Sequence, residues 1–144
     1  MIQTSFSAVI EIAAPPTLVW SVMADVERWP EWTPSVSRLV PLTPGALRAG
    51  SRVRIHQPKL PSACWCVTDL KPGVEFTWVS TAPGVTVTAR HIVEPLTTGS
   101  RVNLSIHYEG LFGPWLAWLT HNLNERYLRM EAEGLKARCG PASA

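Results

Sequence analysis

The sequence predicts an α+β fold in which a seven-stranded, curved antiparallel sheet wraps around a long C-terminal helix, with two short helices between strands 1 and 2. Three observations support this class. Strand-like segments alternate with turn residues every eight to twelve residues or so, as in an antiparallel meander. One long amphipathic helix ends the chain and can cover the concave face of the sheet. The 144 residues suit one domain, predicted over 1–138, followed by a flexible tail over 139–144.

Local patterns predict the first strand and the two short helices. Residues 4–13 alternate between apolar and polar side chains, as a half-buried strand does. The first helix starts at Pro15-Pro16-Thr17, because the N–H that proline lacks is unpaired in a first helical turn anyway, and it runs to about Ala24. The second short helix starts at Asp25 and stops before Pro30.

Six further strands and the long helix follow. The strands end near proline and glycine residues that favour turns, and they span 35–42, 51–57, 63–70, 74–81, 85–94 and 101–109. The helix is predicted over 114–137, where residues spaced three and four apart form an apolar stripe made of Leu116, Leu119, Leu123, Tyr127 and Met130. Most charged residues of this helix, Glu131 included, are predicted to cover its other side.

The positions of the seven tryptophans indicate a cavity. Trp65 and Trp78 fall on strands, while Trp115 and Trp118 open the long helix. Rigid indole rings can wall a hollow without collapsing it, and a curled sheet cannot touch a helix with every strand. The alternative is that each indole simply packs in the core.

Composition and charge exclude several kinds of partner. The net charge is +2 and no run of five basic residues occurs, so no nucleic-acid partner is expected. No apolar stretch reaches the roughly 18–20 residues of a membrane helix, and the N-terminus lacks signal-peptide features, so we expect a cytoplasmic protein without stable membrane insertion. A monomer or a homodimer and no cofactor are expected.

The three cysteines do not predict a disulfide or a metal site. Cys64 and Cys66 would point the same way on one strand, which is poor disulfide geometry. A Cys-x-Cys pair also lacks two of the four ligands of a zinc site. His56 is the one nearby candidate ligand, and Arg52 and Arg54 beside it would repel a cation. Reduced thiols and no metal are therefore expected.

Four stretches of the chain resemble a known superfamily. They are IAAPPTLVWSVMADVERWPEW (12–32), GSRVRIHQP (50–58), ARHIVEPLTTGSRVNLSIHYEG (89–110) and NERYLRMEAEGLKAR (124–138). Together they resemble the START-like (SRPBCC) superfamily with its helix-grip fold, and its polyketide cyclase/dehydratase-like branch in particular. The resemblance implies a cavity for a hydrophobic ligand, but the superfamily holds carriers, receptors and enzymes, so the fold alone does not choose among them.

Strand alternation and helical spacing assign the side chains that would bind a ligand. The inward set is Ile55, Trp65, Phe76, Trp78, Val87, Ala89, His91, Ile106 and Tyr108 on the sheet, with Trp118, Leu119, Asn122 and Leu123 on the helix. The fourth strand is ambiguous. Trp65 faces inward if Asp69 can sit at the strand end, and otherwise Cys64 and Cys66 do. We prefer Trp65, because an indole gains more free energy on burial than a thiol.

Four polar residues are expected to converge in this apolar space: His91, Tyr108, Asn122 and Arg126. Apolar walls with a few placed polar groups are typical of a small-molecule site. The alternatives are structural: His91 bonds a backbone carbonyl, Tyr108 points to the rim, Asn122 bonds a loop, and Arg126 extends outward.

Three functions are compatible with this pattern. The first is binding of a small hydrophobic or aromatic ligand, such as a lipid or a polyketide-like molecule. The second is a cyclase, aromatase or dehydratase in which His91 acts as acid–base and Tyr108 or Arg126 polarises a carbonyl oxygen. The third is a protein-interaction domain that uses an exposed patch around Trp29, Trp32 and Trp115.

Overall fold

The computed structural model describes residues 2–140. In chain order its elements are β1 (Ser5–Ile12), α1 (Pro16–Ala24), a short 3-10 helix (Val26–Glu31), β2 (Arg38–Pro41), β3 (Arg52–His56), β4 (Ala63–Lys71), β5 (Glu75–Ala82), β6 (Val85–Leu96), β7 (Gly99–Glu109), α2 (Gly113–Leu119) and α3 (His121–Cys139). The strands form one antiparallel sheet in the order β1-β7-β6-β5-β4-β3-β2. This confirms the predicted α+β helix-grip architecture.

A bulge in β4 decides the face that the sequence left ambiguous. Trp65 and Val67 are buried, and the pairing with β5 shifts register between Val67 and Asp69. The inserted residue lets Asp69 stay exposed although two apolar side chains precede it on the inner face. The preferred inward orientation of Trp65 is therefore confirmed.

The predicted single helix over 114–137 is wrong, because the chain forms two helices that meet at Thr120. Thr120 leaves helical geometry with φ −101° and ψ 13°. Its hydroxyl donates a hydrogen bond to the carbonyl oxygen of Leu116 at 2.8 Å, at the end of α2. The buried residues nonetheless continue across the junction at spacings of three and four, from Gly113 and Ala117 through Thr120 to Asn124 and Leu128.

Small residues set how α2 lies on the sheet. Gly113 and Ala117 are its buried residues, and a Cβ on Gly113 would lie 3.3 Å from the backbone carbon of Tyr108. This close approach turns the large side chains of α2 outward, and Trp115, Trp118 and Leu119 are 58%, 63% and 57% exposed. The prediction that Trp118 and Leu119 face the interior is therefore wrong.

The buried face of α3 also differs from the predicted stripe. Its buried residues are Asn124, Tyr127, Leu128, Ala132, Leu135 and Cys139, spaced by three and four positions. Asn122 and Arg126 lie on the exposed side, which contradicts the prediction that they point into the cavity. Helix α3 runs through the buried Cys139, and the expected tail residues 141–144 lie outside the described residues.

The segment that carries Trp29 and Trp32 follows α1 and packs under α3, and we call it the corner. The 3-10 helix continues through Pro30 to Glu31, beyond the predicted stop. Trp29 is buried and donates its indole N–H to the carbonyl oxygen of Met23 at 2.9 Å. Trp32 is half-buried, and a Cβ on Gly134 of α3 would lie only 2.0 Å from its carbonyl oxygen. Trp29 therefore packs between the corner and the sheet, next to Trp78 and His91, and Trp32 packs against Trp29 and α3.

Among residues 2–140, no helix combines the length and the apolar character that crossing a membrane would require.

Candidate functional site

A chamber of about 380 Å³ lies between the concave face of the sheet and helices α2 and α3, and we call it the outer chamber. Its walls are mainly apolar and include Trp65, Val87, Ile106, Leu116 and Leu128. Exposed residues of the β3–β4 loop and of the end of β5 line the chamber, so it opens to solvent there. Such a volume falls at the lower end of small-molecule sites, which span roughly 300–1,000 Å³.

A smaller chamber of about 50 Å³ lies beside it, and we call it the inner chamber. The two chambers share five lining residues, and we call this set the neck: Gln57, Trp65, Ile106, Leu128 and Glu131. The shared residues show that the two spaces adjoin each other. Each neck residue therefore borders both spaces.

His91 lines the inner chamber and is packed among aromatic rings. Its imidazole stacks on Phe76, with ring centroids 4.2 Å apart and planes 9° apart. The rings of Trp29 and Trp78 lie 5.5 Å and 5.3 Å away. Its Nδ1 lies 3.3 Å from the carbonyl oxygen of Phe76, which a neutral imidazole satisfies by donating its N–H.

Burial lowers the pKa of His91 to about 4, and the hydrogen bond to the Phe76 carbonyl offsets only part of this effect. The imidazole is therefore neutral at neutral pH. A neutral ring that donates its Nδ1 proton agrees with the alternative in which His91 bonds a backbone carbonyl and not a ligand.

Glu131 is a second ionisable group in the site. It was predicted to lie on the charged side of the helix, but it lines both chambers. It is half-buried in the neck, and its Oε2 accepts a long hydrogen bond of 3.4 Å from the hydroxyl of Ser35. The Ser35 hydroxyl lies 2.7 Å from that of Thr33 in the same buried turn. Burial raises the pKa of Glu131 to about 7, against the smaller lowering effect of the Ser35 hydrogen bond. This carboxyl therefore changes charge near neutral pH.

A closed chain of hydrogen bonds links β7 to the junction of α2 and α3. The Tyr108 hydroxyl donates to Oδ1 of Asn124 at 3.1 Å, and Nδ2 of Asn124 donates to the Thr120 hydroxyl at 3.1 Å. Thr120 in turn donates to the Leu116 carbonyl. Tyr108, Thr120 and Asn124 line the outer chamber. Because they hydrogen-bond to one another, they have partners even when no ligand is bound.

The structure brings most of the sheet residues predicted for binding to the two chambers. Those that line a chamber are Ile55, Trp65, Trp78, Val87, Ala89, His91, Ile106 and Tyr108. Phe76 is fully buried under the imidazole of His91 and lines neither chamber. Of the helical residues, Leu123 is half-buried outside both chambers, and Trp118, Leu119, Asn122 and Arg126 are exposed.

Of the helical residues that do line the chambers, the predicted apolar stripe included Leu116 and Tyr127, and the other four were not identified from the sequence. The full set is Leu116, Thr120, Asn124, Tyr127, Leu128 and Glu131. A signal was present, because Leu128, Ala132, Leu135 and Cys139 are spaced by four, three and four residues and mark the buried face of α3. Glu131 lies three residues beyond Leu128 and so shares that face.

The two chambers together offer apolar surface, several aromatic rings and one titrating carboxyl. No lysine, arginine or histidine side chain among residues 2–140 forms an ion pair with Glu131. The arrangement can hold an apolar molecule and present a proton donor, or a negative charge, at the neck.

Comparison with known proteins gives a family and a fold. The family model described as polyketide cyclase / dehydrase and lipid transport matches residues 3–140. A protein of Thermus thermophilus is similar over 97% of this chain and 99% of its own, with 22% identity and a TM-score of 0.76. Comparison with curated proteins gives no significant match.

Two further solved structures have the same fold. The Zhui aromatase/cyclase of Streptomyces is similar over 97% of this chain and 98% of its own, with 21% identity and a TM-score of 0.72. A START superfamily protein of Mycobacterium smegmatis is similar over 95% of this chain and 97% of its own, with 16% identity and a TM-score of 0.74. At these identities the likeness establishes the fold alone.

Proposed function

Since the chain belongs to the polyketide cyclase / dehydrase and lipid transport family, we propose that it binds a small hydrophobic or aromatic molecule between its sheet and its C-terminal helices. The observation that carries the proposal is the outer chamber of about 380 Å³, which the side chains of the sheet and helices leave unfilled. Burying apolar ligand surface there contributes roughly 25 cal/mol per Å² removed from water, which favours lipid-like or polyketide-like ligands.

The walls of the outer chamber support an apolar ligand over a strongly polar one. Tyr108, Thr120 and Asn124 already satisfy one another, so they offer few free donors. A polar ligand group placed against apolar walls would lose its hydrogen bonds to water without replacement. At the neck, Gln57 and Glu131 are the polar side chains left to orient the ligand.

Acid–base catalysis of the cyclase, aromatase or dehydratase kind is the second candidate, and the observation that favours it is the carboxyl of Glu131. A general acid or base works best with a pKa near the operating pH, and burial brings the pKa of Glu131 to about 7. The pKa of His91, at about 4, leaves that imidazole a weak base. Under this candidate Glu131, rather than His91, Tyr108 or Arg126, exchanges a proton with a ligand carbonyl.

Filling the outer chamber tests the binding function. We expect Val85→Phe to weaken binding of the neutral fluorescent probe N-phenylnaphthylamine by about tenfold or more, because Val85 lines the chamber and a larger ring takes up its volume. Binding is measured as the rise in probe emission on titration with protein.

Val79→Phe is the matched control. Val79 is also half-buried, but it lies on the other face of the sheet, next to Thr88 of β6 and away from both chambers. It should bind the probe as the unaltered protein does. Equal loss in both variants, or no probe binding by the unaltered protein, would contradict a ligand site in the outer chamber. Small molecules extracted from the purified protein can then be identified by mass spectrometry.

A further inference from the structure

The inner chamber joins aromatic rings to a carboxylate in one small space. The rings of Trp29, Trp65, Trp78 and His91 line it, and Glu131 lines it from α3. Neighbouring indoles lie close to one another, with ring centroids of Trp29 and Trp78 5.3 Å apart and those of Trp65 and Trp78 6.1 Å apart. Indole rings attract cations through their quadrupole, and a carboxylate attracts them by its charge.

We propose that the inner chamber receives the ammonium group of an amphiphilic amine whose apolar part occupies the outer chamber. The inference rests on the proposed binding function and adds the chemical class of the ligand's polar end. The neck gives the geometry, because Glu131 and Trp65 border both chambers and would contact the ligand where its apolar part meets its charge.

The carboxyl has no cationic partner in the described part of the chain. Arg90 is the one arginine or lysine among the described residues that lines the inner chamber, and its guanidinium pairs with Glu75 at 3.4 Å and not with Glu131. The polar partner of Glu131 is the Ser35 hydroxyl, at the long distance of 3.4 Å. A buried carboxylate with so few partners gains strongly from an incoming cation.

Size selects a small polar end. The inner chamber measures about 50 Å³, and a water molecule in the liquid takes about 30 Å³. A primary ammonium with its adjoining methylene is compatible with such a space, whereas a bulky ring is not. The roughly 380 Å³ of the outer chamber would hold the hydrocarbon part.

Three ligands with the same twelve-carbon chain test the inference: dodecylamine, dodecanol and dodecanoate, each displacing N-phenylnaphthylamine at about pH 8 and below its micelle concentration. We expect the amine to bind about tenfold more tightly than the alcohol, and the alcohol more tightly than the carboxylate. Glu131→Gln should bring the amine to parity with the alcohol, because the ammonium then has no carboxylate to pair with. Glu133→Gln removes an equal charge from the exposed side of the same helix and should retain the preference.

The outcomes separate the two proposals. If the alcohol binds but the amine has no advantage, or if the advantage survives in Glu131→Gln, the inference is wrong and the binding function stands. If the alcohol binds more tightly than the amine at every pH, the inner chamber does not favour an ammonium group and the inference is again wrong. If none of the three displaces a probe that the protein binds, the inference is wrong, and the binding function is judged by the Val85→Phe test alone.

A second measurement covers the case in which Glu131→Gln does not fold. In the unaltered protein the ratio of amine affinity to alcohol affinity should rise between about pH 5 and pH 8, as Glu131 ionises. The other titratable side chains that line the chambers are Cys64 of β4, Arg90 and His91 of β6, Tyr108 of β7 and Tyr127 of α3. Arg90 pairs with Glu75, and His91 stays neutral over this range. A ratio that does not change with pH would overturn the inference.

Discussion

Replacing Gly134 with alanine is expected to lower the free energy of unfolding by about 2–3 kcal/mol, although alanine is the better helix former. The added Cβ would lie 2.0 Å from the carbonyl oxygen of Trp32 and 3.1 Å from its carbonyl carbon. These are backbone atoms next to the 3-10 helix, where the Trp32 N–H donates to the Trp29 carbonyl at 3.0 Å, so they cannot rotate away as a side chain would. Chemical denaturation of both proteins measures the difference.

Glu133→Ala is the control, because Glu133 is the exposed neighbour of Gly134 on the same helix. A surface change of this kind should alter stability by no more than about 0.5 kcal/mol. If the Gly134→Ala variant is as stable as the unaltered protein, the corner and α3 can move apart without cost and the prediction is wrong. The contact also matters for the site, since Glu131 lies three residues before Gly134 and bonds Ser35, which follows the corner.

The sheet could be predicted from the sequence because strand alternation is a local property. On β1, the alternation that puts Phe6, Ala8, Ile10 and Ile12 on one face needs no knowledge of the rest of the chain, and all four are buried or half-buried. The same rule placed Trp78 and His91 on the inner face. Even the β4 ambiguity was a local one, decided by a single inserted residue.

The helices could not be phased in the same way, because their buried faces include polar residues. Thr120, Asn124 and Glu131 face the sheet, while the large apolar side chains of Trp115 and Trp118 face solvent. A stripe chosen by hydrophobicity alone therefore includes the exposed Leu119 and omits these three polar residues. What decides the phase is tertiary: the small residues of α2 against β7, and the hydrogen bonds of Asn124 to Thr120 and Tyr108.

The exposed indoles of α2 bear on the predicted interaction patch. Of the three tryptophans proposed for it, Trp29 is buried and Trp32 is half-buried, so the corner contributes little exposed surface. Trp115 is exposed, and it lies with Trp118 on a helix that the sequence analysis placed in the cavity wall. The patch prediction therefore fails for Trp29 and Trp32, and the cavity prediction fails for Trp118, because α2 packs through Gly113 and Ala117.

His91 and Glu131 are expected to give opposite dependences of stability on pH. Burial lowers the pKa of His91 from about 6.5 to about 4, so the folded state binds fewer protons and stability rises as pH rises from about 4 to 6.5. Burial raises the pKa of Glu131 from about 4.5 to about 7, so the folded state binds more protons and stability falls as pH rises from about 4.5 to 7. Each effect is on the order of 3 kcal/mol, and the two oppose each other over the shared range.

Single substitutions should separate the contributions of Glu131 and His91 to the pH dependence of stability. Relative to the unaltered protein, Glu131→Gln is expected to gain stability progressively between about pH 4.5 and 7, because the cost of ionising the buried carboxyl is gone. His91→Phe, which can keep the stack on Phe76, should lose relative stability over nearly the same range, since it lacks the neutral imidazole whose advantage grows with pH. Denaturant titrations at several pH values give both difference curves, and contributions from other groups cancel in them.

The exposed carboxylate of Glu133 provides the reference variant. Glu133→Gln removes an equal charge from the exposed side of the same helix, and its difference curve is the baseline against which that of Glu131→Gln is compared. A flat curve for Glu131→Gln would mean that the neck is wet enough to solvate a carboxylate fully. Without a desolvated carboxylate, both the ammonium preference and the acid–base candidate would lose their physical basis, while an apolar ligand site in the outer chamber would not.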